Sequence, residues 1–250
     1  MAGHSKWANI KHKKARVDAQ RGKVWTKCSR AIMVAARMGG PDPASNLSLR
    51  YAIDEARAAN MPKDTIQRAI DKGAGTGDDA VNFESIRYEG YGPSGVAIMV
   101  DVLTDNRART APEMREIFSR GGGNLGTTGS VGYMFEARGV ITIDAAKTTE
   151  DQIMNLAIEA GALDCTLEDD TWTIVTSPTD FITVKDAIDN AGLEATSAEL
   201  TMEPTVMAGA AGDDVAKILR LLERLEDHDD VQKVYTNMDA SDADLAAASG

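Results

Sequence analysis

The chain has 250 residues, 43% of them hydrophobic, a formal net charge of −12 and two cysteines. That length and apolar content exclude wholesale disorder and leave room for one large or two to three small domains. No apolar run approaches the roughly 18 residues of a membrane span, and Cys28 and Cys165 lie far apart without CxxC spacing, which argues against a disulfide scaffold and a zinc site.

The first element is a basic arm. Residues 1–30 hold nine Lys/Arg against one acid, Asp18, and residues 1–72 hold 15 against 6, leaving 12 against 33 for the rest. A basic head on an acidic body attracts a polyanion at one end and repels it elsewhere. The arm has no apolar h-region, and it is Lys-led where a transit peptide is Arg- and Ser-led, so a cytoplasmic protein is expected. Cations without acids to pair with suit phosphate binding, because each contact releases condensed counterions. The candidate nucleic-acid contacts are Lys6, Trp7, Lys11, His12, Lys13, Lys14, Arg16, Arg21, Lys23, Lys27 and Arg30. Trp7 and His12 are suited to stacking on bases, and Arg16, Arg21 and Arg30 to forking onto phosphates. A purely structural arm is the competing reading.

From Lys23 the apolar residues Val24, Trp25, Cys28, Ile32, Ala35 and Ala36 recur at helical spacing, placing Trp25 in a core, until Gly39-Gly40-Pro41 stops the helix. A second helix is expected from near Pro43 to Asn60, and a third through Thr65, Ile66, Ala69 and Ile70 to Gly73. GAGTGDDA then reads as a linker. Beyond it the pattern turns to strands around Ile86–Tyr91, in VAIMVDVLT and in VGYMF, with a helix RTAPEMREIFSR for which Thr110 is the candidate N-cap. GVITID, TTEDQIMNLAIEAG, LDCTLEDD, TWTIVTS, PTDFITVKDAIDNAG and LEATSAELTME give the order βαββαβ, a ferredoxin-like unit. The helix DDVAKILRLLERLED and strand VQKVYTN that follow complete the sheet begun earlier. The expected architecture is α+β: a basic helical domain (1–78), a discontinuous α/β domain (79–136 plus 205–238), a ferredoxin-like domain inserted in it (137–204) and an untethered tail (239–250).

Motifs for chemistry are missing or out of context. GGGNLG fits GxGxxG, but it follows a helix and opens a strand, the reverse of a dinucleotide fingerprint, so a turn or partner-ordered loop is expected. His4, His12 and His228 have no metal-ligand spacing, and EDHDD around His228 reads as a solvated helix-to-strand loop. No catalytic residues, metal or cofactor are assigned. Asn106, Arg107, Arg109 and Arg115 form a cationic cluster that a helix cap with surface arginines explains as well as a second RNA contact does.

GHSKWANIKHKKARVDAQRGK, YEGYGPSGVAIMVDVLTDNRART and GGGNLGTTGSVGYMF resemble the YebC family, and the likeness runs to about Asn237. The resemblance implies a cytoplasmic bacterial protein with a helical N-terminal domain and two ferredoxin-like α/β domains. Members are described as transcriptional regulators that bind promoter DNA. Others are described as translation factors that associate with the ribosome and relieve stalling at proline-rich stretches, and a mitochondrial relative activates translation of a respiratory-chain subunit. The expectation is a non-catalytic nucleic-acid-binding regulator, with ribosomal RNA as the alternative ligand and no membrane partner. A cationic arm with few base-reading residues suits shape-and-phosphate recognition.

Overall fold

In the computed structural model, which describes residues 19–75, 83–168 and 170–248, the basic head continues into α1 (Ala19–Gly39), followed by α2 (Leu47–Ala58) and α3 (Lys63–Gly73). Their apolar stripes meet in one core of Cys28, Ile32, Ala35 and Ala36 from α1, Leu49, Ala52, Ile53 and Ala56 from α2, and Ile66, Ala69 and Ile70 from α3. Small side chains let the helices approach closely. Gly73 marks the closest approach, where a Cβ would collide with the backbone of Met33. Trp25 packs half-buried on this core and donates its indole N–H to the Ala59 carbonyl at 3.0 Å.

The second helix begins later than its sequence suggests, at Leu47 and not near Pro43. Asn46 is the reason. Its Oδ1 accepts from the Leu49 N–H at 3.1 Å, while its Nδ2 donates to the carbonyls of Ala35 and Gly40, both at 2.8 Å. One buried amide thus caps α2 and ties it to the end of α1.

Strand β1 (Glu84–Tyr91) turns through a short 3₁₀ segment (Pro93–Gly95) into β2 (Ala97–Thr104), which leads to α4 (Arg107–Arg120) and the two-residue β3 (Asn124–Leu125). Next come β4 (Phe135–Asp144), α5 (Glu150–Glu159), β5 (Asp164–Glu168), β6 (Thr171–Thr176), α6 (Phe181–Asn190) and β7 (Ser197–Pro204). The chain closes with β8 (Ala208–Gly209), α7 (Asp213–Glu226), β9 (Val231–Thr236), β10 (Met238–Asp239) and α8 (Asp242–Ala248). No helix among the described residues is long and apolar enough to cross a membrane.

Residues 136–203 form one compact unit and the flanking residues another. In the flanking unit the sheet order is β3-β1-β2-β9, with every neighbouring pair antiparallel. Val96, Ile98, Val100 and Val102 alternate onto a core shared with Met114 and Phe118 of α4 and with Val215, Ile218, Leu221, Leu222 and Leu225 of α7. The inserted unit runs β5-β6-β4-β7, the ferredoxin-like order for its βαββαβ sequence. Ile141, Ile143, Ile174, Ile153, Val184 and Ile188 fill its interior.

Two segments depart from their sequence patterns. VGYMF is not the third strand. Gly132–Met134 is a 3₁₀ turn, and Phe135 opens β4 of the other sheet. The N–H groups of Gly129, Val131 and Gly132 are drawn onto the Glu89 carboxylate at 2.8, 2.8 and 2.6 Å, so they are not available to a strand ladder. The expected loose tail is also packed through residue 248. β10 pairs in parallel with β8, Ser241 caps α8 by accepting from the Asp244 N–H at 3.1 Å, and Leu245, 8% exposed, joins the α7 core. Its acidic, alanine-rich composition hid an apolar anchor, Leu245, with Ala240 and Ala248 beside it in the same core. Replacing Leu245 with Ala should therefore lower unfolding free energy by about 2 kcal/mol in urea titration, where a solvated tail would give no change.

Candidate nucleic-acid interface

Of the predicted contacts, Lys6, Trp7, Lys11, His12, Lys13, Lys14 and Arg16 lie outside the described residues, and Arg21 is described only as a backbone position on α1. The three that remain, Lys23, Lys27 and Arg30, all lead to the loop between α7 and β9. Lys23 Nζ donates to the Asp227 carbonyl at 3.3 Å and lies 3.5 Å from its carboxylate. Lys27 Nζ donates to the Glu226 carbonyl at 2.6 Å. The Arg30 guanidinium donates to the Asp229 carbonyl at 2.5 Å and to Asp230 Oδ1 at 2.9 Å, and its carbon sits 5.6 Å from the centre of the Phe83 ring. On the neighbouring helix, Glu55 pairs with Lys233 of β9 at 3.1 Å. These cations thus fasten the helical bundle to the sheet, a role that the spacing of charges along α1 does not reveal.

Asp230 is the centre of that attachment. It is 2% exposed, and a buried carboxylate without partners would cost several kcal/mol. Arg30 and Arg109 donate to it at 2.9 and 2.8 Å, and the hydroxyls of Thr110 and Thr104 lie 2.8 and 3.1 Å from Oδ2. Burial pushes its acidity down, but the hydrogen bonds of Arg109, Thr110 and Thr104 outweigh that and hold its carboxyl below the usual aspartate range. A β-bulge places it there. The β2–β9 register slips between Asp101↔Lys233 and Val102↔Val231, and the Asp230 carbonyl then accepts from the Leu103 N–H at 2.8 Å. His228 Nδ1 accepts from the Asp230 N–H at 3.1 Å, which leaves the ring proton on Nε2, 2.9 Å from the Glu113 carboxylate. EDHDD is thus the expected helix-to-strand loop with Asp227 and Asp229 exposed, but its Asp230 is a buried, hydrogen-bonded hub.

The second predicted cluster divides in two. Asn106 is the N-cap of α4, accepting from the Arg109 N–H at 3.1 Å, and Thr110, the expected cap, is a buried residue one turn inside. Both are capping types, and only the long-range bond from Thr110 to Asp230 decides between them. Arg109 is committed to Asp230 and to Asp105, 2.8 and 3.2 Å away. Arg107 and Arg115 are exposed on α4. GGGNLG turns at the end of α4, where the Gly123 N–H donates to the Phe118 carbonyl at 2.9 Å, and the loop after it is shaped by the carboxylate of Glu89, itself 5% exposed. Burial opposes ionisation of that carboxyl, but three backbone N–H donors and the nearby Arg87 outweigh it and keep it below the ordinary glutamate value.

The charge divides along the same lines as the units. Residues 136–203 hold 15 Asp/Glu and 3 Lys/Arg, so that unit alone accounts for the net −12, and the flanking residues hold 24 of each sign. Within the balanced part the positive charge leads and the acidic loop answers it.

For Asp230 the pH dependence has a definite sign. Its depressed carboxyl contributes stability above about pH 4, the unfolded aspartate value, and loses it as pH falls through the folded value. Asp230→Ala should cost about 3 kcal/mol or more at pH 7 by urea unfolding, with the difference from the parent chain shrinking toward pH 3. A pH-independent difference would remove Asp230 from the role of ionised anchor.

The comparisons with known proteins agree with this architecture. The family model described as the TACO1/YebC protein N-terminal domain matches residues 5–76, and that for the TACO1/YebC second and third domain matches residues 83–238. A relative from Rubrobacter xylanophilus named "Probable transcriptional regulatory protein" is 49% identical over 250 residues and covers 100% of both chains. One of the same name from Paraburkholderia phymatum is 55% identical over 243 residues, 97% of this chain and 100% of the relative. The crystal structure of a conserved hypothetical protein from Aquifex aeolicus is 44% identical, with a TM-score of 0.85 over 95% of this chain and 98% of that one. With both family models matched and the fold shared, the chain belongs to the TACO1/YebC family.

Proposed function

We propose that the chain is a non-catalytic, nucleic-acid-binding regulator of gene expression that acts in the cytoplasm and grips phosphates through its leading segment. Segregation of charge carries the reading: nine cations against one acid in residues 1–30, ahead of a unit with 15 acids and 3 cations. Such a molecule orients itself on a polyanion before contact, basic end first. The regulatory names of the relatives point the same way. The primary contacts are Lys6, Lys11, Lys13, Lys14, Arg16 and Arg21, with Trp7 and His12 stacking on bases where a strand is open. Promoter DNA is the first ligand of this reading. Arg107 and Arg115 supply a second contact on α4.

One observation favours ribosomal RNA as a second reading, with the chain acting as a ribosome-associated translation factor. A recognition helix presents a row of side chains to base edges, whereas α1 turns Lys23, Lys27 and Arg30 onto the chain's own loop. Recognition then falls to the arm and to phosphates, as suits folded RNA.

If about six phosphates are neutralised, log Kd should vary with log salt with a slope of magnitude about 4 to 5. The charge reversals Lys11→Glu, Lys13→Glu and Lys14→Glu together should abolish capture of both DNA and RNA while leaving the unfolding midpoint unchanged. Unaltered affinity in that triple variant defeats the reading. Crosslinking in cells followed by sequencing separates promoter DNA from ribosomal RNA.

A further inference from the structure

We infer that the loop 226–230 is an internal competitor for phosphate, occupying the cations of α1 until nucleic acid displaces it, so that the molecule carries its own brake on binding. The inference rests on the nucleic-acid reading above and names how that site is regulated. To Lys23, Lys27 and Arg30 the loop offers what a phosphodiester offers, a run of oxygen acceptors bearing negative charge. They are the carbonyls of Glu226, Asp227 and Asp229 and the carboxylates of Asp227 and Asp230, at 2.5 to 3.5 Å. Glu226 is the last residue of α7 and Asp227 is its C-cap, so the negative end of the helix dipole adds to the loop's own charge.

The grip is graded. At the outer end, the side chains of Lys23 and Asp227 are 49% and 69% exposed, and such a pair is weak and screened by salt. At the inner end, Arg30 and Asp230 are 19% and 2% exposed and are held from several sides. An incoming phosphate therefore takes the outer cations first, at little cost, while the inner pair keeps the helical bundle attached. Lys23 and Lys27 follow the cations of the arm directly in sequence, so their release extends the phosphate-binding run by about one turn of α1.

The test is a fluorescence titration of a 20-base-pair duplex and of a ribosomal RNA hairpin, repeated over a range of salt. It compares the full chain, Asp227→Asn with Asp229→Asn, the arm triple reversal, and a charge control made on the inserted unit, Glu150→Gln with Asp151→Asn. Asp227 and Asp229 are both exposed, so their replacement leaves the buried anchor in place. The loop variant should bind about two- to fivefold tighter than the parent with a salt slope steeper by about 1, and the control should match the parent. Equal affinity of the loop variant and the parent, or an equal gain in the control, overturns the brake and leaves nucleic-acid binding standing. Absence of binding by the parent overturns the nucleic-acid reading and the brake together.

Discussion

A single ionised carboxylate, Asp230, sets the arrangement of the flanking unit. It is buried, and the four groups that make burial tolerable come from three places: Thr104 ends β2, Arg109 and Thr110 belong to the first turn of α4, and Arg30 reaches in from α1. A carboxylate in that position tolerates no missing partner. Its demand fixes the end of one strand against the start of one helix and draws the helical bundle onto the sheet. The β-bulge that precedes Val102 is the backbone's accommodation to the same requirement.

The distribution of charge follows a similar economy. The unit that contains the basic head is balanced overall, and the excess of acid is confined to the inserted unit. A globally acidic chain can therefore present a positive end without carrying a destabilising surplus of cations in the part that folds around it. Counting charge along the sequence exposes the head, but only the unit boundaries show that the excess negative charge resides in one unit.

Much of the fold was legible from local pattern. The stripe Cys28, Ile32, Ala35 and Ala36 predicts a buried face, and those residues are buried. The alternation in the inserted unit predicts βαββαβ, and its sheet has the matching order. The failures share a cause, because each depends on a partner far along the chain. Thr110 and Asp230 are 120 residues apart, and Glu89 lies about 40 residues from the turn that it organises. Nothing near Glu89 marks it as a buried ligand for amides; the nearest cue is a glycine-rich run with more N–H groups than a strand can pair. Asp230 reads as one more solvated acid of EDHDD, because neither its burial nor the carbonyls of the loop's backbone can be read from side-chain identity. The interface of α1 was hidden for the same reason: its Lys27 meets a backbone carbonyl, which side-chain identity does not announce.

On the host side, Met134 and residues 205–206, which lead into and out of the inserted unit, form a hydrogen-bonded gate. Thr205 donates its N–H to the Met134 carbonyl at 2.7 Å, and Asn237, 2% exposed, bridges the Ala97 N–H and the Val206 carbonyl at 2.7 and 2.9 Å. These bonds, one between backbone groups and two through the Asn237 side chain, lie within the host unit and do not involve residues 136–203. Closing a longer or shorter excursion through that gate changes the entropy only logarithmically with its length. The bonds that close the host at this point therefore place no demand on the identity of the residues carried between them.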